Sequence, residues 1–328
     1  ELEGLLGEES DEHIPGGAVS EEERELALIE AERFLALGHV ELEQSRYTES
    51  RKCYETAVEI CRTHANQAGE GQALGLLGNV YQTLGQYDQA IAHYTQSIAI
   101  AREVGDKRYE GIHLGNLGNV YKAQGQYDEA IEHYTESLAS ARDIGDKRHE
   151  GINIGNIGGV YQAQGQVDEA IAHYTQSIAI AREVGNRRGE GIQLGNLGDA
   201  LVKLERAGEA EAVFREAIVI GDETCPAAAG AFRGSLALLL AQQGKHDEAQ
   251  ALLDAGEPQV ESDPEDLAKF LCNKGQVCQM TGDAAGAQAA LVQAQGIAVE
   301  LMVRDDSEVA QEVAELVRVL RDWEGMAQ

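Results

Sequence analysis

The sequence predicts an all-α solenoid of about seven stacked helix pairs, closed by a C-terminal helix, and three observations carry that prediction. Between Gly71 and Glu190 a 40-residue unit is written three times in nearly the same words, beginning GQALGLLGNVYQTLGQYDQAIAHYTQSIAIAREVGDKRYE. Each copy holds two apolar stripes at helical spacing. One glycine separates the stripes and a second closes the unit. A period of this size means repeated supersecondary units that stack on one another, not a single globular core.

Taken in order, Glu1 to Ser20 is acidic and contains Pro15-Gly16-Gly17, so it reads as a disordered leader or linker. A helix then begins at Glu21, with Leu26, Leu28, Ile29, Phe34 and Leu35 as apolar positions. Arg46-Tyr47 aligns with Gln86-Tyr87, which makes Ala31–Glu70 a degenerate first repeat whose second helix carries Tyr54, Ala57, Val58 and Cys61. In the first full copy Leu74, Leu77 and Tyr81 form one stripe, and Gly85 interrupts it. Tyr87, Ala90, Ile91, Tyr94, Ile98 and Ala101 form the second stripe, which ends at Gly105, a left-handed C-cap, with Asp106 as the next N-cap. Neither helix can bury its face alone, so neighbours must stack.

After the third copy the register persists but loosens. Glu205 stands in the turn-glycine position, Leu201 in that of Tyr81 and Phe214 in that of Tyr94. Pro226 fits the first turn of a helix, and Gly244 opens another repeat turn at slightly shorter spacing. Asp263-Pro264 reads as an N-cap followed by Pro at N1 and starts a seventh pair, with Gly282 at its turn and Ala287 after it. Asp306 or Ser307 can cap a final helix bearing Val309, Val313, Leu316, Val317, Leu320 and, near its end, Trp323. The expected organisation is a leader over 1–20, a solenoid over 21–304 and a capping helix over 305–328.

The formal charge of −31 argues against nucleic acid and anionic membranes, since phosphate recognition needs clustered Lys and Arg. Five cysteines form neither a C-x-x-C nor a metal-ligand pattern, and an odd count in a helical chain suits a reducing cytosol. No apolar run approaches the roughly 18 residues of a membrane helix. The chain begins at Glu1 without Met, so it reads as an excerpt of something longer. His93, His133 and His173 recur once per unit, about 8–10 Å apart by helix packing, too far to share one metal. No phosphate loop and no catalytic constellation stands apart from the repeat, so no cofactor and no enzymatic activity are expected.

Leu74, Leu77, Gly78, Tyr81, Gly85, Ala90, Tyr94 and Ser97 together resemble the tetratricopeptide repeat, whose usual period is about 34 residues. The 40-residue form with G-N-L-G-N is similar to a subgroup found in Pins-type polarity scaffolds and bacterial signalling proteins. The resemblance implies a right-handed superhelix whose first helices line a concave groove for partner peptides. It also sets limits: Gly75, Gly115 and Gly155 stand where chaperone-clamping members carry Lys, and Gly111-Ile112 and Gly151-Ile152 where Pins-type members carry an Arg pair.

By helical spacing, Gln72, Gly75, Leu76, Asn79, Gln82 and Thr83 share the groove side of the first helix. The candidate partner-binding residues on that side are Asn79, Gln82, Asn116, Asn119, Lys122, Asn156, Gln162, Asn196, Asp199 and Lys203. An Asn side chain offers donor and acceptor alike, so the ladder can hold a ligand's main chain; equally, it can bond its own helices. The glycines of the same helices serve either close helix approach or an open groove floor. A protein-interaction scaffold that binds a peptide or helix is the first expectation. A regulatory arm of a larger kinase or ATPase, and a self-assembling solenoid, are the other two.

Overall fold

The computed structural model describes residues 20–301 and 308–326, and among them finds fifteen α-helices and no strand. They pair as α1 (Glu21–Glu43) with α2 (Tyr47–Thr63), α3 (Gln67–Thr83) with α4 (Tyr87–Val104), and α5 (Lys107–Ala123) with α6 (Tyr127–Asp143). Next come α7 (Lys147–Ala163) with α8 (Val167–Glu183), α9 (Arg187–Lys203) with α10 (Ala207–Thr224), and α11 (Pro226–Gln242) with α12 (His246–Val260). The seventh pair is α13 (Pro264–Thr281) with α14 (Ala284–Glu300), and α15 (Glu308–Met326) follows. Helices touch only near neighbours in the chain, so the core is a row of clusters, the largest running from α8 to α13, and not one centre.

Up to α10 every connection between helices holds one left-handed residue, two per repeat. Gly85, Gly125 and Gly165 hold φ of 67°, 71° and 76° within the pairs, and Gly105, Gly145 and Gly185 do the same between them. Outside the three close copies the conformation survives without glycine, at Ser45 (57°), Ala65 (51°) and Glu205 (57°). Each link up to α9 then supplies an N-cap: Asp106 accepts from the backbone N–H groups of Arg108 and Tyr109, and Asn66, Asp146 and Asn186 cap their helices likewise. Ser20 and Glu23 form a capping box at the start of α1.

Inside each of the pairs from α3 to α10 a fully buried aromatic ring lies over a glycine of the facing helix. Tyr94 sits over Gly78, Tyr134 over Gly118, Tyr174 over Gly158 and Phe214 over Gly198, where a Cβ would meet the ring within 3.0 Å. Ser97, Ser137 and Ser177 donate to the carbonyls of Gly71, Gly111 and Gly151 at 2.6–2.7 Å. Between pairs, His113 fills the hollow at Gly75, Gln193 that at Gly155 and Phe232 that at Gly195. Close approach is thus what these glycines provide. Gly75, Gly155 and Gly195, expected on the groove side, are buried beneath the next repeat.

At the links a buried carboxylate is clasped by two cations. Arg102 Nε and Lys107 Nζ reach Glu110 at 2.7 and 2.8 Å; Arg142 with Lys147, and Arg182 with Arg187, repeat this at Glu150 and Glu190. Burial alone would raise the Glu110 and Glu190 carboxyls, but these contacts hold them below the ordinary range. At the far end Leu316 and Leu320 of α15 pack with Leu271, Ala290 and Leu291 of α13 and α14. Residues 1–19 of the leader expected over 1–20, the caps Asp306 and Ser307, and the side chain of Trp323 lie outside the described residues. No described helix is long and apolar enough to cross a membrane.

Candidate functional site

The ten candidate groove residues fall on four successive first helices, α3, α5, α7 and α9. All are half-buried or exposed, whereas Leu74, Leu77, Leu114, Leu117, Ile154 and Ile157 on the opposite side are buried. The amphipathic spacing of the helices sets this division. Parallel to the amides runs an aliphatic row, Ile112, Ile152 and Ile192, partly exposed on the same helices.

The amides are tied to the frame by side chains that the sequence reading did not connect to them. Tyr94 donates its hydroxyl to Asn79 Oδ1 at 2.7 Å and lies 2.8 Å from Gln82 Oε1. Tyr134 donates to Asn119 Oδ1 at 2.6 Å, and Tyr174 to Gln162 Oε1 at 3.0 Å. Across the repeat boundary Asn116 Nδ2 donates to Asn79 Oδ1 at 3.0 Å. The Asn79 oxygen therefore has both lone-pair positions occupied, and its Nδ2 group is what remains for other partners. The interval of fifteen residues from Asn79 to Tyr94 and from Asn119 to Tyr134 is the signal that links them in the sequence.

Other members of the set stand apart. Asn156 and Asn196 are half-buried and make no side-chain hydrogen bond among the described residues. Gly159 takes the position of Asn79 and Asn119, and Lys122 of the preceding repeat reaches over it, its Nζ 3.1 Å from where a Cβ would be. Asp199 and the exposed Lys203 end the row on α9. The surface thus changes from amides on α3 and α5, through a lysine over a glycine at α7, to a carboxylate and a lysine at α9.

The recurring histidines lie on the second helices, against tyrosines of their own repeats. His93 stacks on Tyr81 and His133 on Tyr121, each pair with ring centroids 5.1 Å apart, and His173 lies 5.0 Å from Tyr161. Burial lowers the pKa of His93 and His133, so both rings are neutral at neutral pH. Among the described residues no group of three His, Cys, Asp or Glu could hold a metal ion.

Family models described as tetratricopeptide repeat match residues 30–103, 69–143, 109–154 and 150–220, and a further such model matches 196–264. Among solved structures, aspartyl phosphate phosphatase F from Bacillus subtilis is similar with a TM-score of 0.69 and 15% identity, over 84% of this chain and 71% of that one. A Rap protein complexed with competence and sporulation factor gives a TM-score of 0.62 and 15% identity, over 93% and 98%. BtubC from P. vanneervenii gives 0.54 and 20%, over 66% and 93%. At these identities the likeness is one of fold. No curated protein matches the sequence.

Proposed function

The chain belongs to the tetratricopeptide repeat family, and on that premise we propose that it is a non-catalytic protein-interaction scaffold holding a partner's peptide or helix along α3, α5, α7 and α9. The observation that carries this reading is the pinned amide row. Tyr94 and Tyr134 fix the carbonyl oxygens of Asn79 and Asn119, which on this reading leaves their Nδ2 groups as donors for a partner. A donor fixed before binding loses little conformational entropy when a peptide carbonyl arrives. Asn156 and Asn196 extend the row with amides not engaged by the described frame, and Ile112, Ile152 and Ile192 offer apolar contact beside it.

Support also comes from the architecture, since a neighbour of the same fold is complexed with competence and sporulation factor. All five cysteines are free thiols and four are buried, which fits a reducing cytosolic setting. The test is affinity capture from source cells with the parent chain and an Asn156→Ala, Asn196→Ala, Ile152→Ser variant whose helicity is unchanged. A partner held by the parent and lost by the variant is the expected result. Equal retention by both would move the site away from this face.

A further inference from the structure

Among the described residues, helix α1 leaves uncovered a face that the first helices of the following pairs bury. Leu77 and Val80 of α3, Leu117 and Val120 of α5, and Ile157 and Val160 of α7 pack against the preceding second helix, none more than 6% exposed. Their counterparts in α1 are Leu37 and Val40, each 45% exposed. Leu26 and Ile29, 61% and 49% exposed, continue the same stripe toward the N-terminus. Gln67, the first residue of α3, has Ala27 as its counterpart, yet α1 starts at Glu21, so the bare stripe is prolonged by more than a turn.

The stripe lies between two rows of acid. At 100° per residue, Glu25, Glu32 and Glu43 fall along one edge, and Glu23, Glu30 and Glu41 along the other. Glu25, Glu30, Glu32 and Glu43 are exposed and have no ion-pair partner among the described residues. We propose that this face docks a helix from a partner protein, aliphatic along one stripe and lined on both flanks by Lys or Arg. An apolar seam with carboxylates on both edges selects its complement as paired helices do, through opposite charges beside the seam. The leader fits poorly, because it is itself acidic, with Glu1, Glu3, Glu8, Glu9, Asp11 and Glu12. A second copy of α1 would bring the same acid rows against each other. Arg33 interrupts the stripe between Ile29 and Leu37. The inference is independent of the groove reading and uses none of its residues.

The experiment titrates the full chain with a labelled synthetic helix carrying a Leu/Ile stripe and Lys on both flanks, read by fluorescence anisotropy. Two controls accompany it: the same stripe with Glu flanks, and a scrambled peptide of the Lys composition. Binding of the Lys-flanked helix at least tenfold tighter than either control is expected, together with a tenfold loss in a Leu37→Ser, Val40→Ser variant of unchanged helicity. Equal binding of the scrambled peptide, no effect of the variant, or no binding at all would overturn the proposal. So would tenfold tighter binding in a Leu2→Ser, Leu5→Ser, Leu6→Ser chain, which would make the leader the occupant. A parent dimer that becomes monomeric in the Leu37, Val40 variant would make the occupant a second copy and overturn it too.

Discussion

The imidazole of His113 occupies the hollow at Gly75, its ring centroid 6.0 Å from Tyr94 and 5.7 Å from Tyr109. Neither ring nitrogen has a hydrogen-bond partner, and burial pushes its pKa down to about 4, with the charge of Asp106 opposing weakly. The folded state therefore holds His113 neutral, while the unfolded chain takes up a proton near pH 6.5. Between about pH 6.5 and 4 the unfolded state binds more protons, so this residue's contribution is intact above pH 6.5 and declines as pH falls through that window. Ala73 holds the matching position one repeat earlier, which makes His113→Ala the natural comparison. Thermal melts of parent and His113→Ala from pH 7.5 to 4.5 should show a steeper loss in the parent, whatever their absolute midpoints. Parallel curves would mean that His113 is not buried as described.

Turns repeat the same economy of conformation at the scale of helix pairs. Glu205 adopts φ of 57° where Gly85, Gly125 and Gly165 stand in the other pairs, and a left-handed L-residue costs roughly 1–2 kcal/mol. Glycine there gives back roughly 0.5–1 kcal/mol through the freedom of its unfolded chain. Glu205 is exposed, so no packing is lost on its removal. Glu205→Gly should then stabilise by about 0.5–1 kcal/mol, visible as a small rise in the urea midpoint at constant slope. Gly125→Ala should lower the midpoint, and the same sign for both would refute the turn argument. The turn positions were legible because glycine recurs at them with the period of the unit, and Glu205 could be placed by register alone. The clasps on Glu110, Glu150 and Glu190 were not legible. Periodicity tells which face of a helix is apolar, but not that a carboxylate at a helix start is covered by Arg102 from one helix and Lys107 from its own. The groove amides were legible as a row and opaque as a network. Their spacing places them on one side of α3 to α9, whereas the bond from Tyr94 to Asn79 depends on how deeply α4 sits against α3. Gly75 was misplaced for the same reason, since only the neighbour's His113 shows the hollow to be filled.

At the scale of the molecule, a row of clusters joined only through neighbours makes stability a sum of repeat terms and interface terms. Single pairs cannot bury their faces, so the interfaces carry the favourable part. An added interior repeat brings one more unit and one more interface, provided that its two contact surfaces match. A second copy of residues 111–150, inserted between Glu150 and Gly151, meets that condition. Its His113 would lie over Gly115 as the original lies over Gly75, and its Glu150 would be followed by Gly151 as in the parent. The turn and cap residues at both junctions are those already in use, with Gly145 at φ 69° and Asp146 capping its helix. We expect the 40-residue insertion to leave mean residue helicity unchanged and to keep or raise the denaturation midpoint. Circular dichroism and urea titration of the two chains decide it. A globular domain with one centre would lose its core under such an insertion, so a fall in helicity or midpoint would refute the one-dimensional account of this fold.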